Sequence, residues 1–173
     1  DPASGVRQFG EPATLVWLSR RDGVPLYSLE PAYADEVARV LERWDAERVA
    51  AYYTLRVFWG EKAGRPQAEF DALAAALLRK RTDVPGLRAS ITDVADLDTL
   101  WNAWFPGGPD WRELDTEPPG SFLAEIADRS REVRADHMVR TIADLWSRGE
   151  RVFVVVGSGH VIRQEPMIRA TLG

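Results

Sequence analysis

The chain has 173 residues, with 22 Lys+Arg against 27 Asp+Glu, and a formal net charge of −5. With 45% hydrophobic and 28% charged residues, it reads as a soluble globule rather than a disordered tail, and as a poor ligand for a nucleic-acid phosphate backbone. It has no cysteine, which excludes disulfides, iron–sulfur clusters, thiolate zinc sites and cysteine nucleophiles.

Only two histidines, His137 and His160, can supply an imidazole. No stretch approaches the roughly 20 apolar residues that span a bilayer. The chain begins Asp1-Pro2-Ala3-Ser4-Gly5, without Met and without the basic-then-apolar pattern of a signal peptide. The reading therefore expects an upstream segment and leaves the compartment open.

In chain order, a helix is predicted over 13–21, stopped by Asp22-Gly23. Val24 to Pro31 follows as a short apolar run with β-formers, read as a buried strand that delivers Glu30 at its end. Helical spacing covers 33–44. Asp45 caps a second helix over 46–62, broken by Gly64-Arg65-Pro66. Further helices are predicted over 67–81 and 94–105, with an irregular loop between Pro106 and Gly120. Ser121 caps a long helix over 122–148, stopped by Gly149. Arg151-Val152-Phe153-Val154-Val155-Val156 is the strongest strand pattern, a β-branched run of the kind buried on both faces of a parallel sheet. Gly157-Ser158-Gly159-His160 and a short helix over 164–172 close the chain.

Strands flanked by helices predict one α/β domain over 1–173, with a central, mostly parallel sheet. Residues 13–31 supply a helix and strand, 33–120 a helical insertion, and 121–173 the long helix and buried strand. Two strands are too few for a stable sheet, so others are expected upstream or from another chain.

In open α/β sheets, ligands bind at the carboxyl ends of the strands. Glu30 and His160 sit at such ends, where a carboxylate and an imidazole can hold a metal or act as general acid and base. The alternatives are a helix-capping Glu30 and a solvent-facing His160. Gly157, Ser158 and Gly159 allow a sharp turn and close approach of a ligand to main-chain N–H groups.

On the long helix, Arg131 falls on the same arc as Met138, Val139, Ile142, Leu145 and Trp146, so it needs an acidic partner or an anionic ligand. Arg134 and His137 are further ligand-binding candidates; the alternative is salt-bridged arginines and a packed histidine. Arg56, inside the run Tyr52 to Trp59, is expected to stack on a ring or reach an acidic group such as Glu30. The seven tryptophans are read as core.

The run from Arg131 through Asp136-His137-Met138, and on through Val152 to Gly157-Ser158-Gly159-His160, resembles the closing segment of the TraB/Tiki-like group. That group is related to the ChaN haem-binding proteins and the erythromycin esterase-like proteins. Gly157-x-x-His160 matches the group's second Gly-x-x-His motif, and Leu29-Glu30-Pro31 looks like the strand bearing its glutamate. The first Gly-x-x-His has no counterpart here, because no histidine follows Phe9-Gly10-Glu11-Pro12.

The resemblance implies a hydrolase-like, metal-assisted domain acting on a peptide or ester bond. His160 and Glu30 would be ligands of a divalent metal ion or general bases. Arg131, Arg56 or Arg134 would stabilise an oxyanion or bind anionic groups. The alternatives are a ChaN-like protein that binds haem or iron through Tyr52, Tyr53 or a histidine, or a catalytically inactive member. Expected partners are a small-molecule or peptide substrate and a second copy of the chain, with no nucleic acid and no membrane span.

Overall fold

The computed structural model describes Arg7 and residues 10–172. Seven α-helices occupy them: α1 (Glu11–Asp22), α2 (Tyr33–Leu41), α3 (Ala46–Glu61), α4 (Phe70–Arg81), α5 (Val94–Trp104), α6 (Phe122–Ser147) and α7 (Ser158–Leu172). They divide into two compact units, Asp1–Glu30 and Pro31–Gly173.

In the first unit, α1 ends where expected. Gly23 adopts a left-handed conformation, φ 66°, and its N–H bonds the Ser19 carbonyl. Val24 N donates to the same carbonyl at 3.0 Å, and Ser19 Oγ donates to the Val24 carbonyl at 2.6 Å. Beyond this cap the chain is irregular, with Val24, Leu26 and Tyr27 exposed.

The second unit is built around α3. Its Ala, Val, Tyr, Leu, Phe and Trp residues are buried on nearly all sides, as a helix at the centre of a bundle requires. It packs against α2, α4 and α6. The predicted cap holds: Asp45 accepts from Arg48 N at 2.9 Å. Phe58 meets Phe70 and Trp111 edge-on, at centroid distances of 5.5 and 4.9 Å. Trp59, Trp101 and Trp111 are core, as read, but Trp17 and Trp146 are exposed.

The irregular loop after α5 is held by Arg112. Its guanidinium lies 4.0 Å from the Trp111 ring, forms two bonds to Asp98 (2.7 and 2.9 Å) and reaches Asp71 at 2.7 Å. Burial works to lower the Arg112 pKa, but the carboxylates of Asp98 and Asp71 outweigh it and hold the group charged. Trp59 and Trp101 donate their indole N–H groups to the carbonyls of Trp111 and Pro109.

The Ser121 cap also holds, with Ala124 N bonded to Ser121 Oγ. The first half of α6 enters the main core through Leu123, Ile126 and Ala127. Its second half, with Ala135, Met138, Val139, Ile142 and Leu145 buried, packs against α7. Gly149, φ 81°, ends it.

The α/β expectation is overturned. None of the described residues lies in a strand, and there is no central parallel sheet. Residues 24–29 and 151–156 are irregular and belong to no ladder. A strand persists only where a neighbour takes up its N–H and C=O groups, and the described residues supply none. Nor is 151–156 buried on both faces: its odd positions are exposed, Phe153 by 84%, and its even positions are half-buried. The last helix begins at Ser158, six residues earlier than expected, and takes His160 into its first turn.

Candidate functional site

His160 is held from both sides of its own turn. Its N–H bonds the Gly157 carbonyl at 2.9 Å, and its Nδ1 lies 3.4 Å from the Gln164 amide nitrogen. Gln164, four residues on, faces the same side of α7. It is buried, and its Nε2 also lies 2.8 Å from Met138 Sδ on α6. With the Gln164 amide assigned in this orientation, its N–H donates to the Nδ1 lone pair. The neutral ring then carries its proton on Nε2. His160 is half-exposed, so solvent and a ligand can reach it.

The preceding glycines do not act as expected. Neither Gly157 nor Gly159 has a positive φ, so the turn does not require them. Their effect is open space: a side-chain carbon at Gly159 would meet nothing within 4 Å, and one at Gly157 only His160 Cδ2 at 3.9 Å. The first N–H groups of α7, including those of Ser158 and Gly159, have no intrahelical acceptor, as at every helix start.

Glu30 closes the first unit, whereas His160 lies in the second. Neither Glu30 nor Arg134 is without a partner. Arg131 does find acidic partners: Asp128 at 2.6 Å and Glu117 at 3.9 Å. Its guanidinium holds the Asp128 carboxyl below the usual carboxylate range. Arg131 is thereby a structural ion-pair member of α6.

Arg56 takes the stacking alternative, 5.9 Å over the Tyr52 ring, with Nη1 3.5 Å from Ser130 Oγ. Behind it lies a buried network that the sequence reading missed. Tyr53 Oη and Ser130 Oγ both donate to Glu36 Oε1, at 2.8 and 2.5 Å. Burial, and next the Glu36 charge, push the Tyr53 hydroxyl well above its ordinary value, so it stays a donor.

His137 is exposed and lies apart from that network, on a charged stripe of α6. The stripe is the floor of a groove of about 820 Å³, walled by residues of α2 and α7.

Among the described residues, no three or more His, Asp or Glu side chains come together as a metal ligand set. Tyr52 and Tyr53, candidate haem ligands, are each only 3% exposed. No helix among the described residues is long and apolar enough to cross a membrane.

The missed residues had a partial signal. Gln164 stands at i+4 from His160 on a helix that the sequence reading began only at 164. Glu36 and Ser130 are 94 positions apart, and nothing local links them. No family model, curated protein or solved structure matches this chain.

Proposed function

We propose that this chain is a hydrolase-like domain in which His160 is the proton-transfer group. The substrate is a small molecule or peptide, cleaved at an ester or peptide bond. One observation supports the reading: a half-exposed imidazole held by a buried amide, Gln164 against Nδ1 at 3.4 Å. A base or acid oriented by a second group is the arrangement that general acid–base catalysis uses. In the assigned tautomer, Nε2–H donates a hydrogen bond to the developing oxyanion; proton transfer to the leaving group proceeds from the doubly protonated ring, with the Gln164 amide turned so that its oxygen accepts from Nδ1–H, and the ring regains its proton from the attacking water. The unpaired N–H groups at the start of α7 add further donors. Metal assistance would draw ligands from beyond the sets formed by the described residues.

The test is hydrolysis of activated esters and of peptides by the 173-residue chain and by His160→Ala. Loss of a positioned acid–base group costs about 10²–10⁴-fold in rate. A His160→Ala variant as active as the wild type would refute the proposal. So would a wild type with no turnover on either substrate class, which would favour the inactive-member reading.

The proposal includes a homodimer. Phe153 is 84% exposed and Ile162 78% exposed, and a second copy of the chain would cover such large apolar side chains. Sedimentation equilibrium checks it, and a monomer throughout the micromolar range would remove the dimer.

A further inference from the structure

The geometry points to a binding site for a small organic polyanion, bearing carboxylate or phosphate groups, in the groove between α2 and α7. The site is distinct from the His160–Gln164 pair, and its occupancy does not depend on hydrolysis.

The groove follows from helix packing. The helix α6 packs against both α2 and α7, so one of its faces is left as a floor between two walls. Arg129, Glu132, Val133, Asp136, His137 and Arg140 line that floor. Their spacing is 3, 1, 3, 1, 3, which is one stripe of an α-helix. Spanning 12 residues, 11 helical rises, it runs about 16 Å along the axis. The volume of about 820 Å³ lies within the range of small-molecule sites.

The charge balance selects the ligand. Four arginines (39, 129, 140 and 163) and His137 face three carboxylates, those of Asp35, Glu132 and Asp136. The groove is thus locally positive in a chain whose net charge is −5. Its anions are already engaged: Arg140 holds Asp136 at 2.8 Å, and Arg129 reaches Glu132 at 3.4 Å.

Its cations are under-used. Arg163 forms no salt bridge among the described residues, and its charge acts only at longer range, on the Asp128 carboxyl. Arg39 bonds one carboxylate, Glu42, which lies outside the groove lining. Arg129 is 82% buried as a side chain, yet its contacts to Glu132 and Glu42 are 3.4 and 3.7 Å. Guanidiniums with unfilled donors in a concavity suit carboxylate or phosphate oxygens. Ala38, Val133 and Met167 supply apolar wall for a short carbon skeleton. Asp35, exposed and without an ion-pair partner among the described residues, sets a limit by repelling a ligand too close to the start of α2.

Titration calorimetry at low ionic strength tests the site, with citrate and inorganic pyrophosphate as probes. Saturable binding of at least one probe is expected, weakening as salt rises. Binding of citrate alone identifies the carboxylate source, and binding of pyrophosphate alone the phosphate source. Arg163→Glu should weaken binding by about tenfold or more, while Asp35→Asn strengthens it by about two- to threefold. Arg163 is exposed, but its charge favours the Asp128 carboxylate, so Arg163→Gln, which adds no repulsion, is the second variant: it should melt like the wild type and still weaken binding. Arg65→Glu, outside the groove lining, should leave binding unchanged. Absence of saturable binding for both probes would overturn the inference, as would equal weakening by Arg65→Glu and Arg163→Glu. None of these readouts uses catalytic turnover, so failure of the groove and failure of the His160 reading are separable.

Discussion

The buried carboxylate of Glu36 gives the sharpest quantitative test of the fold. It is 7% exposed and accepts from Tyr53 Oη and Ser130 Oγ on the same oxygen. Tyr53→Phe removes one donor and keeps the ring, which packs edge-on against Tyr33 at 5.2 Å and Tyr52 at 5.0 Å. A hydrogen bond to a charged group contributes about 1.5–3 kcal/mol. For a chain of this size, 1 kcal/mol shifts Tm by about 2–4 °C. Tyr53→Phe should therefore lower Tm by about 3–12 °C. Ser130→Ala should act similarly, and the double variant should be non-additive by about 0.5–3 kcal/mol, because both donors serve one oxygen. Tyr52→Phe is the control: its ring is equally buried, and its hydroxyl makes no hydrogen bond among the described residues. The assay is thermal and urea unfolding of the wild type and the four variants at neutral pH. If Tyr53→Phe and Tyr52→Phe agree within about 0.5 kcal/mol, the Glu36 network carries none of the stability assigned to it.

The remaining expectations concern the loop clamp, the imidazole and the α6–α7 contact. Burial opposes ionisation of Asp98, but the Arg112 and Trp111 hydrogen bonds win and hold its carboxyl below the ordinary value. A depressed carboxylate stabilises the fold above the unfolded value of about 3.9 and loses that stability as pH falls through the lowered value. Asp98→Asn should thus melt below the wild type at pH 7, with the gap closing in acid; a gap independent of pH would refute the charged clamp. Nitrogen-15 NMR should show neutral His160 protonated on Nε2, with the tautomers mixing in Gln164→Leu; an Nδ1–H form in the wild type would remove Gln164 as its orienting group. Met138, 2% exposed beneath α7, should cost about 2–5 kcal/mol when replaced by Ala. Hydrogen exchange should place the loss in α7 and the second half of α6, and protection unchanged there would contradict the packing.

Local chemistry alone determined most of the helices. Asp45 and Ser121 were recognisable as caps, Gly23 and Gly149 as stops, and the apolar spacing of residues 46–62 and 122–148 as helices, because each signal lies within a few residues of its effect. Segments 24–30 and 151–156 read locally as strands. What they could not reveal is whether a neighbouring strand exists, since pairing is a property of two segments. Without a ladder, the run that reads as a doubly buried strand leaves Phe153 exposed.

The site divides along the same line. His160 was legible from its motif, but its orientation depends on Gln164, whose burial depends on Met138 from another helix. His137, Arg131 and Arg134 were legible only as candidate ligand-binding groups on α6. Only the packing of α2 and α7 on either side of α6 makes its charged stripe the floor of a groove. The sequence by itself determined which groups can accept or donate a proton and where helices begin and end. Tertiary structure alone decided which charges pair, which remain unfilled and which carboxylate is buried, because those depend on distances between residues far apart in the chain.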